Sequence, residues 1–369
     1  MKAALFCWFF LLVLSRAGLD AQSFLPEHQY VYLSVSGNYG YLAPHHKSIK
    51  YFVKDHVTGF QIEGGIKTSG DKKWHLDYNF PKTGIGYYSS TLGNDAVFGQ
   101  SRALYGFFQT ENQYPAKKIY LFQKFSFGIS HLSEKYNLYE NPYNLAISTN
   151  LNVYLAYMAG LNIEINKEMA IHTGVTFNHF SNGKVKEPNK GLNTVTISTA
   201  LTYKFNHTLN NKQLIPQKKT EYYPNRWMVS YAMGWKQLSR RVDEYFPAAS
   251  LALDYAFFSR PTKRLGAGID LFYDSSAEAH RAFDSEIMAS EWEFFRTGIH
   301  FSYEFLIGRS SFIVQPGVYF FNPYNKYGYG YNRLGFRYRL TPHLVSSVGI
   351  KAHFPAKADF IEWGLGYAF

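Results

Sequence analysis

Residues 360–369 read FIEWGLGYAF, and this stretch decides the fold because its residues separate by parity. The odd positions carry Ile, Trp, Leu, Tyr and Phe, whereas the even positions carry Phe, Glu, Gly, Gly and Ala. Successive side chains of a β-strand point to opposite faces. The stretch therefore predicts a strand with one wholly apolar face and one face that is mostly small or polar.

The same alternation recurs upstream, for example over residues 227–235, 333–340 and 344–351. Strands of about ten residues with apolar outer faces, polar inner faces and aromatic ends are typical of transmembrane β-barrels. A soluble barrel or sandwich also alternates, but an N-terminal export signal and the pattern of connections favour the membrane. We predict an all-β fold, a transmembrane antiparallel β-barrel of about 14–16 strands.

The composition excludes several other classes. The chain has 369 residues, of which 46% are hydrophobic, 19% aromatic and 18% charged, so it is neither disordered nor collagen-like. Its longest apolar run, residues 3–14, is shorter than the ~18–20 residues of a membrane-spanning helix. The formal net charge of +11 suits an anionic partner such as a phosphorylated glycolipid. Nucleic acid is not expected, because the basic residues are scattered and the chain carries an export signal.

The first 21 residues predict a secretory signal peptide. Lys2 precedes an apolar run, and small residues up to Ala21 offer a cleavage site. Cys7, the one cysteine, lies within the apolar run and would be removed with it. The mature chain is then expected to form no disulfide.

Connections between the predicted strands alternate in length. Sixteen alternating segments lie between residues 29 and 369, the third of them over 74–90. Long polar connections such as 132–146 and 276–293 alternate along the chain with tight ones such as 69–73 and 166–168. Outer-membrane barrels have long external loops and short periplasmic turns, so the long connections mark the external end.

Residues 207–225 break this pattern, because a long connection falls where a short one is expected. The segment before it, residues 193–206, itself resembles the closing strand of a barrel. The chain thus divides into a half over 22–206, a connecting segment over 207–225 and a half over 226–369. A single wide barrel is the preferred prediction, since two barrels side by side in one chain are rare, and two eight-stranded barrels in series are the alternative.

The predicted seventh strand carries the residues with catalytic chemistry. His179 and Ser181 share its apolar, lipid-side face, about 6.6 Å apart along the strand. An imidazole at this distance can take the proton of the hydroxyl, which makes a nucleophile with its general base. Asn193 opens the next strand with the same parity and could orient the histidine. Alternatively, this end of the strand lies at the headgroup level, where water satisfies all three side chains.

The sequence around this pair is similar to a known family. Residues 179–182 read His-Phe-Ser-Asn and residues 188–191 read Pro-Asn-Lys-Gly, which resembles the lipid A 3-O-deacylase (PagL), or acyloxyacyl hydrolase, family with its motif His-x-Ser-Asn and Pro-Asn-x-Gly. The resemblance covers residues 23–206 in topology and about 175–193 in motif. It implies an eight-stranded outer-membrane barrel with a lipid-facing His/Ser/Glu triad that removes the acyl ester at the 3-position of lipid A. It further implies His179 as base, Ser181 as nucleophile, and Asn182 with the adjacent backbone amide of Gly183 as oxyanion donors.

The sequence departs from the family at the third member of the triad. The family's glutamate stands twelve residues after the serine, where this chain has Asn193. An amide can accept the imidazole N–H but cannot stabilise an imidazolium by charge. We therefore expect a slower enzyme, or assistance from Glu187.

Three further groups of polar residues lie outside the predicted catalytic site. Lys184, Lys186 and Lys190, in the loop after the serine, are candidate contacts for lipid A phosphates. His45-His46 is interpreted as a pair of surface histidines rather than a metal site, because adjacent residues of a strand point apart. The interior arginines at 333, 337 and 339 are expected to pair with interior acids, as packing rather than transport.

Residues and resemblance together predict a serine esterase, a carboxylic ester hydrolase that modifies lipopolysaccharide in the outer membrane of a Gram-negative bacterium. The expected partner is lipid A or lipopolysaccharide of the outer leaflet, and no metal, cofactor or nucleic acid is expected. Two alternatives remain. One is a porin-like channel, suggested by sixteen strands with a charged interior. The other is a barrel made inactive by Asn193 that only binds lipopolysaccharide.

Overall fold

The structure is a computed structural model that describes residues 30–369 except 71, 113–117, 206–224, 241–242, 286, 289 and 355–356. The predicted signal peptide and nearly all of the predicted connecting segment lie outside the described residues. The chain forms two compact units. One unit holds the first eight strands, and the other holds the last eight strands together with residues 183–187.

The first eight strands form a closed antiparallel barrel in which each strand pairs with its neighbour in sequence. β1 closes the barrel by pairing with β8, with Val35 opposite Leu201. The strands are β1 Val31–Leu42, β2 Val57–Lys67, β3 Lys82–Thr91, β4 Gln100–Glu111, β5 Ile119–Leu132, β6 Leu151–Glu164, β7 Met169–Ser181 and β8 Leu192–Phe205.

The last eight strands form a second closed antiparallel barrel. Here β16 pairs with β9, so that Leu365 lies opposite Tyr231. The strands are β9 Trp227–Gln237, β10 Tyr245–Arg260, β11 Lys263–Asp274, β12 Phe295–Ile307, β13 Ser310–Phe321, β14 Gly330–Arg339, β15 Leu344–His353 and β16 Lys357–Ala368.

Among the residues that the structure describes, it confirms the all-β antiparallel class and shows sixteen strands, and it decides between the two predicted architectures. The preference for one wide barrel is wrong, and the alternative of two eight-stranded barrels is the one found. The reason is that the ladder of each half closes on itself, β8 with β1 and β16 with β9. In the described part of the chain, none of the helices has both the length and the apolar character needed to cross a bilayer.

The helices are short and lie in the connections between strands. They comprise Lys47–Lys50, Lys73–Asp77, Ala277–Phe283 and a 3-10 helix over Glu291–Phe294. The prediction of a strand from residue 74 is therefore wrong at its start, because a helix occupies residues 73–77 and β3 begins at Lys82. Asn79 and Phe80 adopt positive φ angles of 55° and 57°, which breaks the extended backbone that the strand would need.

The predicted faces are found in both barrels. In β16, Trp363 is 61% exposed on the outside, whereas Glu362 is buried inside. The outer face of the barrels is apolar and aromatic, as expected for strands that contact lipid. The alternation of side chains along each strand therefore places the polar ones in the barrel interior.

Ion pairs and hydrogen bonds fill the two interiors. In the first barrel Lys82 contacts Glu111 at 2.6 Å and Lys124 contacts Glu63 at 2.5 Å. In the second, Arg333 pairs with Asp270 at 3.1 Å and with Glu362 at 2.7 Å, which confirms the predicted pairing with acids for this arginine. Eight-stranded barrels have interiors just wide enough for side chains to fill.

Candidate active site

The candidate site lies where β7 ends and β8 begins. His179 and Ser181 occupy the outward face of β7, because the residues between and before them, Phe180 and Asn178, are buried inside the barrel. The ladder between β7 and β8 places Asn193 directly opposite His179. Strand parity and strand register together thus bring the three predicted side chains to one patch of the outer surface.

The three side chains are joined by hydrogen bonds. His179 Nδ1 lies 2.6 Å from Asn193 Oδ1, and His179 Nε2 lies 3.1 Å from Ser181 Oγ. The amide oxygen can only accept, so His179 donates from Nδ1 and leaves Nε2 free to accept the hydroxyl proton. This is the geometry of a nucleophile, a general base and a group that orients the base.

A fourth side chain contacts the site. Asn193 Nδ2 lies 3.0 Å from His45 Nδ1, and His45 Nε2 lies 2.6 Å from the carbonyl oxygen of Lys190. The sequence interpretation of His45 as an ordinary surface histidine missed this contact. One signal was available, since an asparagine in place of a carboxylate brings an NH₂ group that needs an acceptor.

Gly191 lies against the imidazole of His179. Its φ is +74°, and a Cβ atom built there would lie 2.9 Å from His179 Cε1. Its N–H donates to the carbonyl oxygen of Ala146 at 3.0 Å, which fixes the loop. The glycine of the Pro-Asn-x-Gly segment therefore provides both the left-handed turn and the space for the histidine.

Asn182 and Asn189 hold the loop that follows the serine. Asn182 is buried, its backbone N–H donates to Asn189 Oδ1 at 3.1 Å, and its side-chain Nδ2 donates to Ser148 Oγ at 3.0 Å. Both donor groups of Asn182 are thus engaged within the protein. Gly183, the other predicted oxyanion donor, follows with a φ of +64°.

The three predicted phosphate-contacting lysines have different surroundings. Lys186 is exposed. Lys190 is half-buried, with its amine 3.1 Å from His46 Nδ1 and 2.9 Å from Ser48 Oγ. Lys184 is only 4% exposed, and burial lowers the pKa of its amine to about 8. The loop therefore presents Lys186 to the solvent but not Lys184.

Comparisons with known families give two matches, one to most of the first barrel and one to the second. A model described as lipid A 3-O-deacylase (PagL) matches residues 59–202, and a model described as acyloxyacyl hydrolase, C-terminal domain, matches residues 225–369. The chain belongs to the PagL, or acyloxyacyl hydrolase, family. This membership supports a hydrolase, an outer-membrane deacylase of a Gram-negative bacterium. It also gives the second barrel, which the sequence interpretation left without a recognised family, a place in the same family.

Solved structures similar to this chain include outer-membrane proteins. Neisserial surface protein A aligns at 8% identity and a TM-score of 0.34, over 48% of this chain and 100% of that one. The outer membrane enzyme PagL aligns at 18% identity and a TM-score of 0.22, over 47% and 98%. Omp33 of Acinetobacter baumannii aligns at 10% identity and a TM-score of 0.17, over 93% and 100%. No curated protein matches the chain.

Proposed function

We propose that the chain is a serine esterase that removes the ester-linked acyl chain from the 3-position of lipid A. The observation that carries this proposal is the position of His179, which bridges Ser181 and Asn193 on the outward face of the first barrel. Polar groups on a lipid-facing surface cost free energy, and where they occur they usually mark a functional site. An ester in the membrane can reach these residues from the side, without entering the barrel.

In the proposed first step, Ser181 Oγ attacks the ester carbonyl carbon while its proton moves to His179 Nε2. The carbonyl π electrons move to the oxygen and form a tetrahedral oxyanion. When this intermediate collapses, the sugar oxygen leaves with the proton from His179, and the acyl chain remains on Ser181. Water then attacks the acyl-serine with His179 again as base, which releases the fatty acid and restores the hydroxyl.

The motif suggests two oxyanion donors, the backbone N–H of Gly183 and the amide of Asn182, and we keep only the first. Because Asn182 donates to Ser148 and Asn189, we assign it the role of holding the turn. Gly183 N–H then provides the direct donor. Removing one oxyanion donor typically costs about 10²–10³ in rate.

The length of the connections supports access to the outer leaflet, where lipid A lies. Ser181 is the last residue of β7, at the same barrel end as the long connections 43–56 and 133–150. The connections 112–118 and 165–168 lie at the opposite end and are shorter. The connection 68–81 at that end is an exception: predicted to be tight over 69–73, it holds the helix Lys73–Asp77 and is as long as 43–56. Long loops mark the external side of outer-membrane barrels. We propose exposed Lys186, and Lys190 at the loop edge, as contacts for lipid A phosphates.

Replacing Ser181 with alanine tests the proposal. Lipid A from cells that produce the Ser181→Ala variant should keep the 3-position acyl chain, whereas the wild-type chain should remove it, as read by mass spectrometry. Ser89→Ala is the matched control, because Ser89 is also half-buried on the outward face, near the corresponding end of β3. Deacylation that persists in Ser181→Ala, or that is lost equally in Ser89→Ala, would contradict the proposal.

A further inference from the structure

A chain of hydrogen bonds continues past the three catalytic side chains to a loop far away in sequence. His179 contacts Asn193, Asn193 contacts His45, and His45 contacts the carbonyl oxygen of Lys190. His45 lies in the connection between β1 and β2, 148 residues from Asn193. The matched PagL region, residues 59–202, does not include it.

The donors and acceptors in this series of hydrogen bonds allow one consistent placement of the protons. The carbonyl of Lys190 can only accept, so His45 Nε2 carries the proton and its Nδ1 is free to accept. Nδ1 then accepts from the NH₂ group of Asn193. The amide oxygen is consequently directed to His179, whose Nδ1 donates to it. Each step fixes the next, and the result is a basic Nε2 facing the serine.

The opposite orientation of the amide would disable the base. An asparagine side chain turned by 180° presents NH₂ to His179 Nδ1, which must then accept and carry its proton on Nε2. An imidazole with the proton on Nε2 cannot take one from the serine, and a wrong tautomer of this kind lowers turnover by about 10⁴ in serine proteases. A carboxylate has two equivalent oxygens and needs no such control.

We propose that His45 is a positioning residue that fixes the amide orientation of Asn193 and thereby the tautomer of His179. The proposal rests on the proposed function for the roles of Ser181 and His179. His45 itself is placed by its bond to the backbone of the loop 182–191. The adjacent His46 and Ser48 hold the side chain of Lys190 and so join the same two loops.

A double-mutant cycle between His45 and Asn193 tests this role. With Asn193 present, His45→Ala should slow labelling of Ser181 by a fluorophosphonate, and deacylation of lipid A, by about tenfold or more. In the Asn193→Glu background the same change should cost no more than about threefold, because a carboxylate needs no orientation. His45→Gln, whose side-chain oxygen can accept from Asn193, should restore much of the lost rate.

His56→Ala is the matched control for the loop. His56 lies in the same connection but stacks on Tyr39 at 5.1 Å, and its side chain is 60% exposed. This variant should change neither rate by more than about twofold. An equal loss from His45→Ala in both backgrounds would show a merely structural contact and overturn the proposal, as would no loss in either. A heat-modified gel shift confirms that each variant forms its barrels.

The two readouts separate this inference from the proposed function. If Ser181 is labelled but no acyl chain leaves lipid A, the substrate assignment is wrong, while the labelling rates still test His45. If Ser181 in the wild-type chain resists labelling, both proposals are overturned.

Discussion

At the scale of single residues, the motif and the strand period were enough to predict which side chains meet. Two residues along a strand return to the same face, so His179 and Ser181 had to be neighbours once β7 formed. To place Asn193 beside His179, only the register of β7 with β8 was required, since the two residues lie opposite each other in that ladder. His45 could not be predicted in this way, because its contact depends on how a separate loop folds over the barrel end.

Gly191 allows a direct test of the space around the imidazole. In Gly191→Ala the new Cβ would lie 2.9 Å from His179 Cε1, so the ring must move and its bonds to Ser181 and Asn193 must stretch. We expect a loss of about tenfold or more in kcat for acyl release. Initial rates of purified protein with lipid A in detergent measure it.

Gly328→Ala controls for backbone strain. Gly328 has a φ of +80° but nothing within 4 Å of its would-be Cβ. Its replacement costs about 1–2 kcal/mol for the positive φ without touching the site. Equal losses of kcat in the two variants would attribute the effect to strain rather than to displacement of His179.

At the scale of elements, alternation predicted the strands well and failed where a short helix carried a similar pattern. Residues 73–80 read KWHLDYNF, in which polar and apolar residues also alternate. The helix Lys73–Asp77 forms instead, and the positive φ angles of Asn79 and Phe80 turn the chain into β3. Periodicity over so few residues cannot separate a helix turn from a strand.

Removing one partner of an interior ion pair is expected to destabilise the first barrel strongly, because the other charge is left buried and uncompensated. Glu111 contacts Lys82 at 2.6 Å and Lys67 at 3.7 Å, all three being buried. Glu111→Ala removes a carboxylate that both amines face, and breaking a buried pair in this way costs about 3–5 kcal/mol. Urea unfolding of the protein in lipid vesicles should show a correspondingly lower free energy of unfolding.

Asp77→Ala is the control for that measurement. Asp77 pairs with Lys73 at 4.0 Å in a partly exposed helix outside the barrel wall, where ion pairs contribute less than about 1 kcal/mol. If Glu111→Ala unfolds at the same urea concentration as Asp77→Ala, the loss of this buried carboxylate does not destabilise the barrel as argued.

At the scale of the whole molecule, the sequence left open how many barrels the strands form. The alternation of faces is the same in a barrel of eight strands or sixteen, because it reports only which side chains face lipid. The deciding pairs, β1 with β8 and β9 with β16, join segments far apart along the chain. The long connection at 207–225 and the closing character of residues 193–206 pointed to two barrels, but rarity of that architecture outweighed them in the prediction.

Two narrow barrels predict electrical behaviour unlike that of a porin. Their interiors hold paired side chains such as Lys82 with Glu111 and Arg333 with Glu362. We expect no stable conductance steps in planar lipid bilayers, measured beside a sixteen-stranded porin as positive control. Long-lived openings of porin size would support the channel alternative instead.

The most direct test of the central claim is the incubation of purified protein with lipid A in water enriched in ¹⁸O. Attack by Ser181 followed by hydrolysis of the acyl-serine predicts release of one fatty acid, from the 3-position ester, with ¹⁸O in its carboxyl group. The Ser181→Ala variant should release none. Lipid A that stays intact with the wild-type chain, or that loses the same acyl chain with Ser181→Ala, would contradict the account.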